Sequence, residues 1–182
     1  MRKGIVGCTP PVWMCSTDVD TGRREGHLNF PMQPQFSADI LLVEDDAKDA
    51  ELAMAALKER NIPGEVVHVV DGDQFLDSIF HAGLYSDWQN IKIPQVILLD
   101  LKLKTTSGLD VLRQLKADAR ARTIPVVVFT SSQREIEVVE SYRLGVNSFV
   151  IKPTDAAEYM QVVGDIGHYW LNINQPPPRR IG

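Results

Sequence analysis

QVILLD, residues 95–100, is the stretch on which the fold turns. Val96 to Leu99 leave no polar position for a solvent-facing side, so the segment reads as a strand covered on both faces, as in the middle of a parallel sheet. An aspartate follows at the point where such a strand leaves the sheet. ILLV at 40–43 and VVVF at 126–129 repeat the pattern, and each is again followed by polar residues, Glu44 and Asp45 in one case and Thr130 in the other. With EVVHVV at 65–70 and SFVI at 148–151 the predicted strands are Asp39–Val43 (β1), Glu65–Val70 (β2), Gln95–Leu99 (β3), Pro125–Phe129 (β4) and Ser148–Ile151 (β5). β2 is the most mixed and is expected at an edge.

Amphipathic segments lie between and after these strands: Ala47–Arg60 (α1), Gly72–His81 (α2), Ser107–Ala117 (α3), Arg134–Leu144 (α4) and Asp155 to about Leu171 (α5). Asp46 and Ser107 are candidate caps, and Gly145 is a helix stop. Strict alternation of strand and helix predicts an α/β fold, a doubly wound (βα)5 three-layer sandwich. Residues 1–37 show no period of 2 or 3.6 and read as a disordered extension, dispensable at least to Pro31. The domain proper spans 38–172, and 173–182, with three consecutive prolines, reads as a flexible tail. The loop GLYSDWQNIKIP, 83–94, carries Tyr85 and Trp88 with no evident use.

The 182 residues, 44% hydrophobic, suffice for one core and not for two full domains. A net charge of -5 and the lack of any long basic block argue against nucleic acid and for a protein partner or a small ion. Cys8 and Cys15 lie outside every periodic segment and form no disulfide framework, which fits a reducing, cytoplasmic setting. No apolar run is long enough to span a bilayer, and the N-terminus has no secretory signal pattern.

In an open parallel sheet, ligands bind beyond the carboxyl ends of the strands. Glu44 and Asp45 leave β1, Asp100 leaves β3, Thr130 ends β4, and Lys152 with Pro153 follows β5, so three acids, a hydroxyl and an ammonium share one rim. Carboxylates gathered there repel unless a cation sits among them, and hard oxygens suit Mg2+. A carboxylate so placed can attack phosphorus to form an acyl phosphate, whose charge the ammonium and hydroxyl can stabilise. Each feature alone has a plainer meaning. Acids are favoured at a helix N-terminus, as Asp46 is expected to be; a threonine ending a strand often bonds its own backbone; a rim lysine is usually solvated. Tyr159, Tyr169 and Trp170 are expected to pack, and His27, His68, His81 and His168 match no ligand spacing.

VEDD (43–46), LLDLKL (98–103), VFTSS (128–132) and VIKPTD (150–155), in this order and spacing, resemble the signature of response regulator receiver domains over about Ala38 to Leu171. The resemblance implies a flavodoxin-like sheet of order 2-1-3-4-5 and a signalling protein that accepts a phosphoryl group from a sensor histidine kinase. It makes Asp100 the phosphoacceptor. Mg2+ would be held by Asp45, Asp100 and the backbone carbonyl of Lys102, with Glu44 acting through water, while Thr130 and Lys152 would bind the phosphoryl oxygens. Thr130 and Phe149 would form the switch, with Phe149 lacking the hydroxyl that many relatives carry there, and a cis peptide is implied at Lys152–Pro153. Output is expected through the α4–β5–α5 face, to a kinase, a phosphotransfer protein or a second copy, with no DNA-binding region following. HYWLNINQPPP, 168–178, looks like the receivers that serve phytochrome-type kinases.

Two departures stand out. Relatives often read D-x-x-x-P-x-x-D/N-G after β3, whereas here Lys104 and Ser107 precede Gly108, which puts the turn geometry in question. Lys102 stands where relatives often have Asn, and a long cation there predicts slow loss of the phosphoryl group to water. The main rival is a phosphatase of the haloacid dehalogenase type, but its chemistry needs an acid two residues after the nucleophile, where this chain has Lys102. A flavin carrier of the same topology would need a Ser/Thr/Gly-rich phosphate loop after β1, and a degenerate receiver would not keep the acidic set.

Overall fold

The computed structural model describes residues 38–80 and 93–176. The expected N-terminal extension, most of the loop at 83–94 with Tyr85 and Trp88, and the tail from 177 lie outside the described residues. The strands are β1 Ile40–Val43, β2 Val66–Val69, β3 Val96–Leu99, β4 Val126–Thr130 and β5 Ser148–Ile151. The helices are α1 Ala47–Glu59, α2 Gly72–Phe80, α3 Gly108–Ala117, α4 Glu135–Leu144 and α5 Ala156–His168, the last running into a π-helical turn at Tyr169–Ile173. All strand pairs are parallel and the sheet order is β2-β1-β3-β4-β5, which puts the mixed strand β2 at an edge as its composition predicts.

The continuous apolar runs follow from the two-residue period of a strand. Leu41, Val43, Ile97 and Leu99 point to one side and meet Phe75 and Ile79 of α2 and Val111, Leu112 and Leu115 of α3. Ile40, Leu42, Val96 and Leu98 point to the other and meet Ala50, Ala53 and Leu57 of α1 and Tyr159 and Val163 of α5. Every position of β1 and β3 is thereby buried.

Asp46 caps α1 as expected, its carboxylate accepting the N–H groups of Lys48 and Asp49 at 2.9 and 3.1 Å. Ser107 precedes α3 but makes no side-chain capping bond. Gly145 ends α4 with φ of 93°, a left-handed conformation that favours glycine. The cis bond implied at Lys152–Pro153 is absent: the described residues contain no cis peptide. Trans is the lower-energy isomer of an X–Pro bond by about 0.5–1 kcal/mol, and from the trans backbone Lys152 already reaches its acidic partners. No helix among the described residues is long and apolar enough to cross a membrane.

Candidate functional site

The sheet's own hydrogen bonds carry the site residues beyond its strands. Asp100 N–H donates to the Val43 carbonyl at 3.0 Å, Glu44 N–H to the Val69 carbonyl at 3.0 Å, and Lys152 N–H to the Thr130 carbonyl at 2.8 Å. Glu44, Asp100, Thr130 and Lys152 are consequently buried at one rim.

Lys152 is the hub. Its ammonium has three N–H donors, and they meet Glu44 Oε2 at 2.6 Å, Asp49 Oδ2 at 2.8 Å and Asp100 Oδ2 at 2.8 Å. The ring of Phe129 lies beneath, its centroid 5.9 Å from Nζ, and Phe129 packs on Tyr159 with centroids 5.0 Å apart. The Tyr159 hydroxyl in turn donates to the Asp49 carbonyl at 3.0 Å. An apolar, aromatic floor thus keeps water from screening the charges above it.

Electrostatics separate the acids. Burial pushes the Glu44 carboxyl up to about 7, a rise that Lys152 opposes and Asp100 reinforces. Burial also works to raise Asp100, but the Lys152 charge, the Lys102 N–H and the Thr130 hydroxyl outweigh it and hold Asp100 below the usual carboxylate range. For Lys152 burial opposes the charge, and the three carboxylates overcome it and hold the ammonium well above its ordinary value. Asp100 is therefore an ionised carboxylate at neutral pH, with Oδ1 taking the Lys102 N–H at 3.0 Å and Oδ2 on Lys152.

Three carboxylates against one ammonium leave two negative charges uncompensated if all are ionised. The rise of Glu44 comes first from its burial, and the nearby Asp100 charge adds to it. Carboxylate and carbonyl oxygens are the ligands a hard divalent cation takes, and such a cation would supply the missing charge; with the three carboxylates turned onto Lys152, no three acidic or histidine side chains among the described residues are set around a metal position.

Not every predicted residue lies at the hub. Asp45 pairs instead with Lys104, its Oδ2 3.4 Å from the Lys104 Nζ. The Lys102 ammonium bonds the Ser131 hydroxyl at 3.1 Å, spanning from the loop after β3 to the loop after β4. Phe149, paired in register with Val128, is half-buried against the cluster on the α2–α3 side. Asp49 is absent from the predicted set: it stands in the first turn of α1, where an acid is ordinary, and only the approach of Lys152 makes it part of the site. His68 was expected to be structural or solvated, and its Nε2 bonds the Glu44 carbonyl at 2.8 Å.

The turn after β3 holds despite its unusual sequence. Thr105 Oγ1 donates to Asp71 Oδ1 at 2.5 Å, Thr106 Oγ1 donates to Asp73, and Gly108 N–H donates to the Leu101 carbonyl at 3.1 Å. A Cβ at Gly108 would lie 2.1 Å from the Asp100 carbonyl oxygen, so the loop packs this close to the site only because no side chain is there.

Comparison with known proteins agrees with this architecture. The family model described as "Response regulator receiver domain" matches residues 40–164. Among curated proteins the chain is 37% identical over 139 residues to the probable methanogenesis regulatory protein FilR2 of Methanothrix harundinacea, covering 76% of this chain and 86% of that one. It is 36% identical over 132 residues to the response regulator Rcp1 of Synechocystis, covering 72% and 88%. The crystal structure of the Mn(2+)-bound form of Rcp1 superposes with a TM-score of 0.69 at 34% identity over 76% of this chain and 98% of that one. The phosphorylated cyanobacterial phytochrome response regulator RcpA superposes with a TM-score of 0.71 at 35% identity, covering 79% and 100%. Sheet order, strand-end chemistry and the matched span agree, and the chain belongs to the response regulator receiver family, the phosphorylation-controlled modules of two-component signalling.

Proposed function

We propose that Asp100 is the phosphoacceptor of this receiver and that the surrounding groups divide the work of the transfer. The observation that carries the proposal is the buried Lys152 ammonium within 2.6–2.8 Å of Glu44, Asp49 and Asp100 together. The Asp100 oxygen forms a P–O bond as the P–N bond of a kinase phosphohistidine breaks, and the bonding pair leaves on the imidazole nitrogen. Lys152 and the Thr130 hydroxyl then bind phosphoryl oxygens, which carry the charge of the transition state. Asp45, Asp100 and the Lys102 carbonyl would hold Mg2+, with Glu44 acting through water. The cation's contribution is charge neutralisation between the carboxylates and the phosphoryl group.

Thr130 is drawn toward the phosphoryl group, and Phe149, one strand over, fills the space behind it. Output goes through contacts on the α4–β5–α5 face. Ile136, Val139 and Tyr142 recur every three residues on one side of α4, exposed at 68%, 48% and 54%, with Ile151 of β5 also exposed, and such an apolar stripe supports a docking surface. A second copy or a kinase are its occupants under this reading, and nucleic acid is not, given the net charge of -5. The likeness to the phytochrome response regulator RcpA, together with the sequence at 168–178, supports a phytochrome-type sensor histidine kinase as donor, and the protein itself is read as cytoplasmic. The protein performs its own phosphorylation and dephosphorylation and turns over no separate substrate.

The test is incubation of the full chain with acetyl phosphate followed by intact-mass measurement. One phosphoryl adduct forms with Mg2+ present and none forms in excess EDTA; an adduct of equal yield in EDTA would remove the cation from the scheme. A second expectation concerns lifetime. The Lys102 ammonium is anchored on Ser131, and under this reading the long side chain, two residues after Asp100, hinders attack by water on the acyl phosphate. Lys102→Asn is expected to shorten the phosphoryl half-life roughly tenfold, about 1.4 kcal/mol in barrier. An unchanged half-life, followed by phosphate release after removal of the donor, refutes the shielding role.

A further inference from the structure

The turn between β1 and α1, which carries Glu44 and Asp45, has two carbonyl groups beyond the reach of the helix's own bonding. The N–H groups of Lys48 and Asp49, which would otherwise turn back toward them, are taken by the Asp46 carboxylate. Side chains from other segments fill both places. His68 Nε2, from the edge strand, donates to the Glu44 carbonyl at 2.8 Å. Lys104 Nζ, from the loop between β3 and α3, donates to the Asp45 carbonyl at 3.3 Å while standing 3.4 Å from Asp45 Oδ2.

The two anchors differ in kind. His68 is half-buried and its ring is held by the edge of the sheet. The Lys104 side chain is 77% exposed, whereas Asp45 is only 12% exposed, so the ammonium lies on the open side of a largely covered carboxylate. An exposed ion pair of this sort is weak and readily exchanged. Lys104 also stands where the family's pattern after β3 often has proline, a residue with no charge to offer Asp45.

We propose that Lys104 is a tethered cation that competes with the divalent metal for Asp45 and so sets the metal affinity of the site. The proposal rests on the reading of Asp45 as a metal ligand. For a divalent ion to take Asp45 Oδ2, the ammonium must swing into solvent, and even there its stem keeps a positive charge near the incoming one. Both effects weaken metal binding, and both are electrostatic, so salt screens them. The receiver then holds its metal loosely until the phosphoryl group adds negative charge to the same rim. A purely structural role for Lys104, steadying the turn through the Asp45 carbonyl, predicts the reverse, because loss of the anchor would loosen the ligand and weaken binding.

Calorimetric titration of the full chain with MgCl2 alone separates these cases. Lys104→Met is expected to tighten Mg2+ binding roughly three- to tenfold at low salt, as removal of one nearby like charge allows. The gain should shrink at high salt, Lys104→Arg should return close to wild-type affinity, and Asp45→Asn should abolish most of the binding. Equal or weaker affinity in Lys104→Met, with the wild type binding normally, overturns the competition while leaving the metal site standing. Absence of Mg2+ binding in both the wild type and Lys104→Met overturns the metal reading and the competition with it.

Discussion

Asp100→Asn takes up no phosphoryl group from acetyl phosphate in Mg2+, and its intact mass stays that of the unmodified chain. The amide is nearly isosteric, so its oxygen can still accept the Lys102 N–H and the loop after β3 keeps its place. What is lost is the anionic oxygen, and a neutral amide is a far poorer nucleophile toward phosphorus. Neighbouring groups do not substitute. Glu44 is pushed up to about 7 and shares Lys152, and Asp45 pairs with Lys104. The fold should persist, since β3 and both hydrophobic layers are untouched, and an unchanged circular dichroism spectrum separates lost chemistry from lost structure. An adduct of wild-type yield on Asp100→Asn would move the acceptor to another residue and undo the assignment.

Lys152→Met is expected to slow phosphorylation by about 10²- to 10³-fold, the range seen when one preorganised electrostatic donor is removed from a transition state. It should also convert the site into a pH-dependent liability. Without the ammonium, Glu44 and Asp100, with side chains 2% and 6% exposed, face each other in a poorly solvated rim, and leaving such charges unpaired costs about 3–5 kcal/mol. Asp49, 37% exposed, is hydrated and adds little. The sign follows from linkage. Carboxyl groups whose folded pKa lies above the unfolded value bind protons more tightly in the native state, so stability falls as pH rises through that window. Already in the wild type Glu44 sits at about 7 against an ordinary 4.5, which places the window for that group between these values. In the variant, with Lys152 gone, the penalty should be small near pH 4 and grow toward pH 8. Urea unfolding in EDTA at both pH values measures it, and added Mg2+ should recover part of the loss at pH 8. Equal stability of variant and wild type at pH 8, or a wild-type rate of phosphorylation, would contradict the hub role of Lys152.

The amino-acid sequence by itself determined the sheet, the alternation of strands and helices, and the placement of Asp100, Thr130 and Lys152 at one rim. Those features depend on side-chain period and on where an apolar run stops, which are local properties, and Gly145 and the Asp46 cap were legible for the same reason. Only the tertiary structure decided how the charges pair. Asp49 is, in sequence, one more acid in a helix's first turn, and Lys104 one more loop lysine. The first belongs to the site because Lys152 arrives from 103 residues away, and the second because the loop after β3 passes the Asp45 carbonyl across a separation of 59 residues. The same loop closes back on the end of β3 because Gly108 has no side chain, so that the Asp100 carbonyl rests against its bare Cα. Which carboxylate meets which ammonium is a matter of a few ångströms between distant segments, set by how the two hydrophobic layers seat the helices on the sheet, and no local period encodes it.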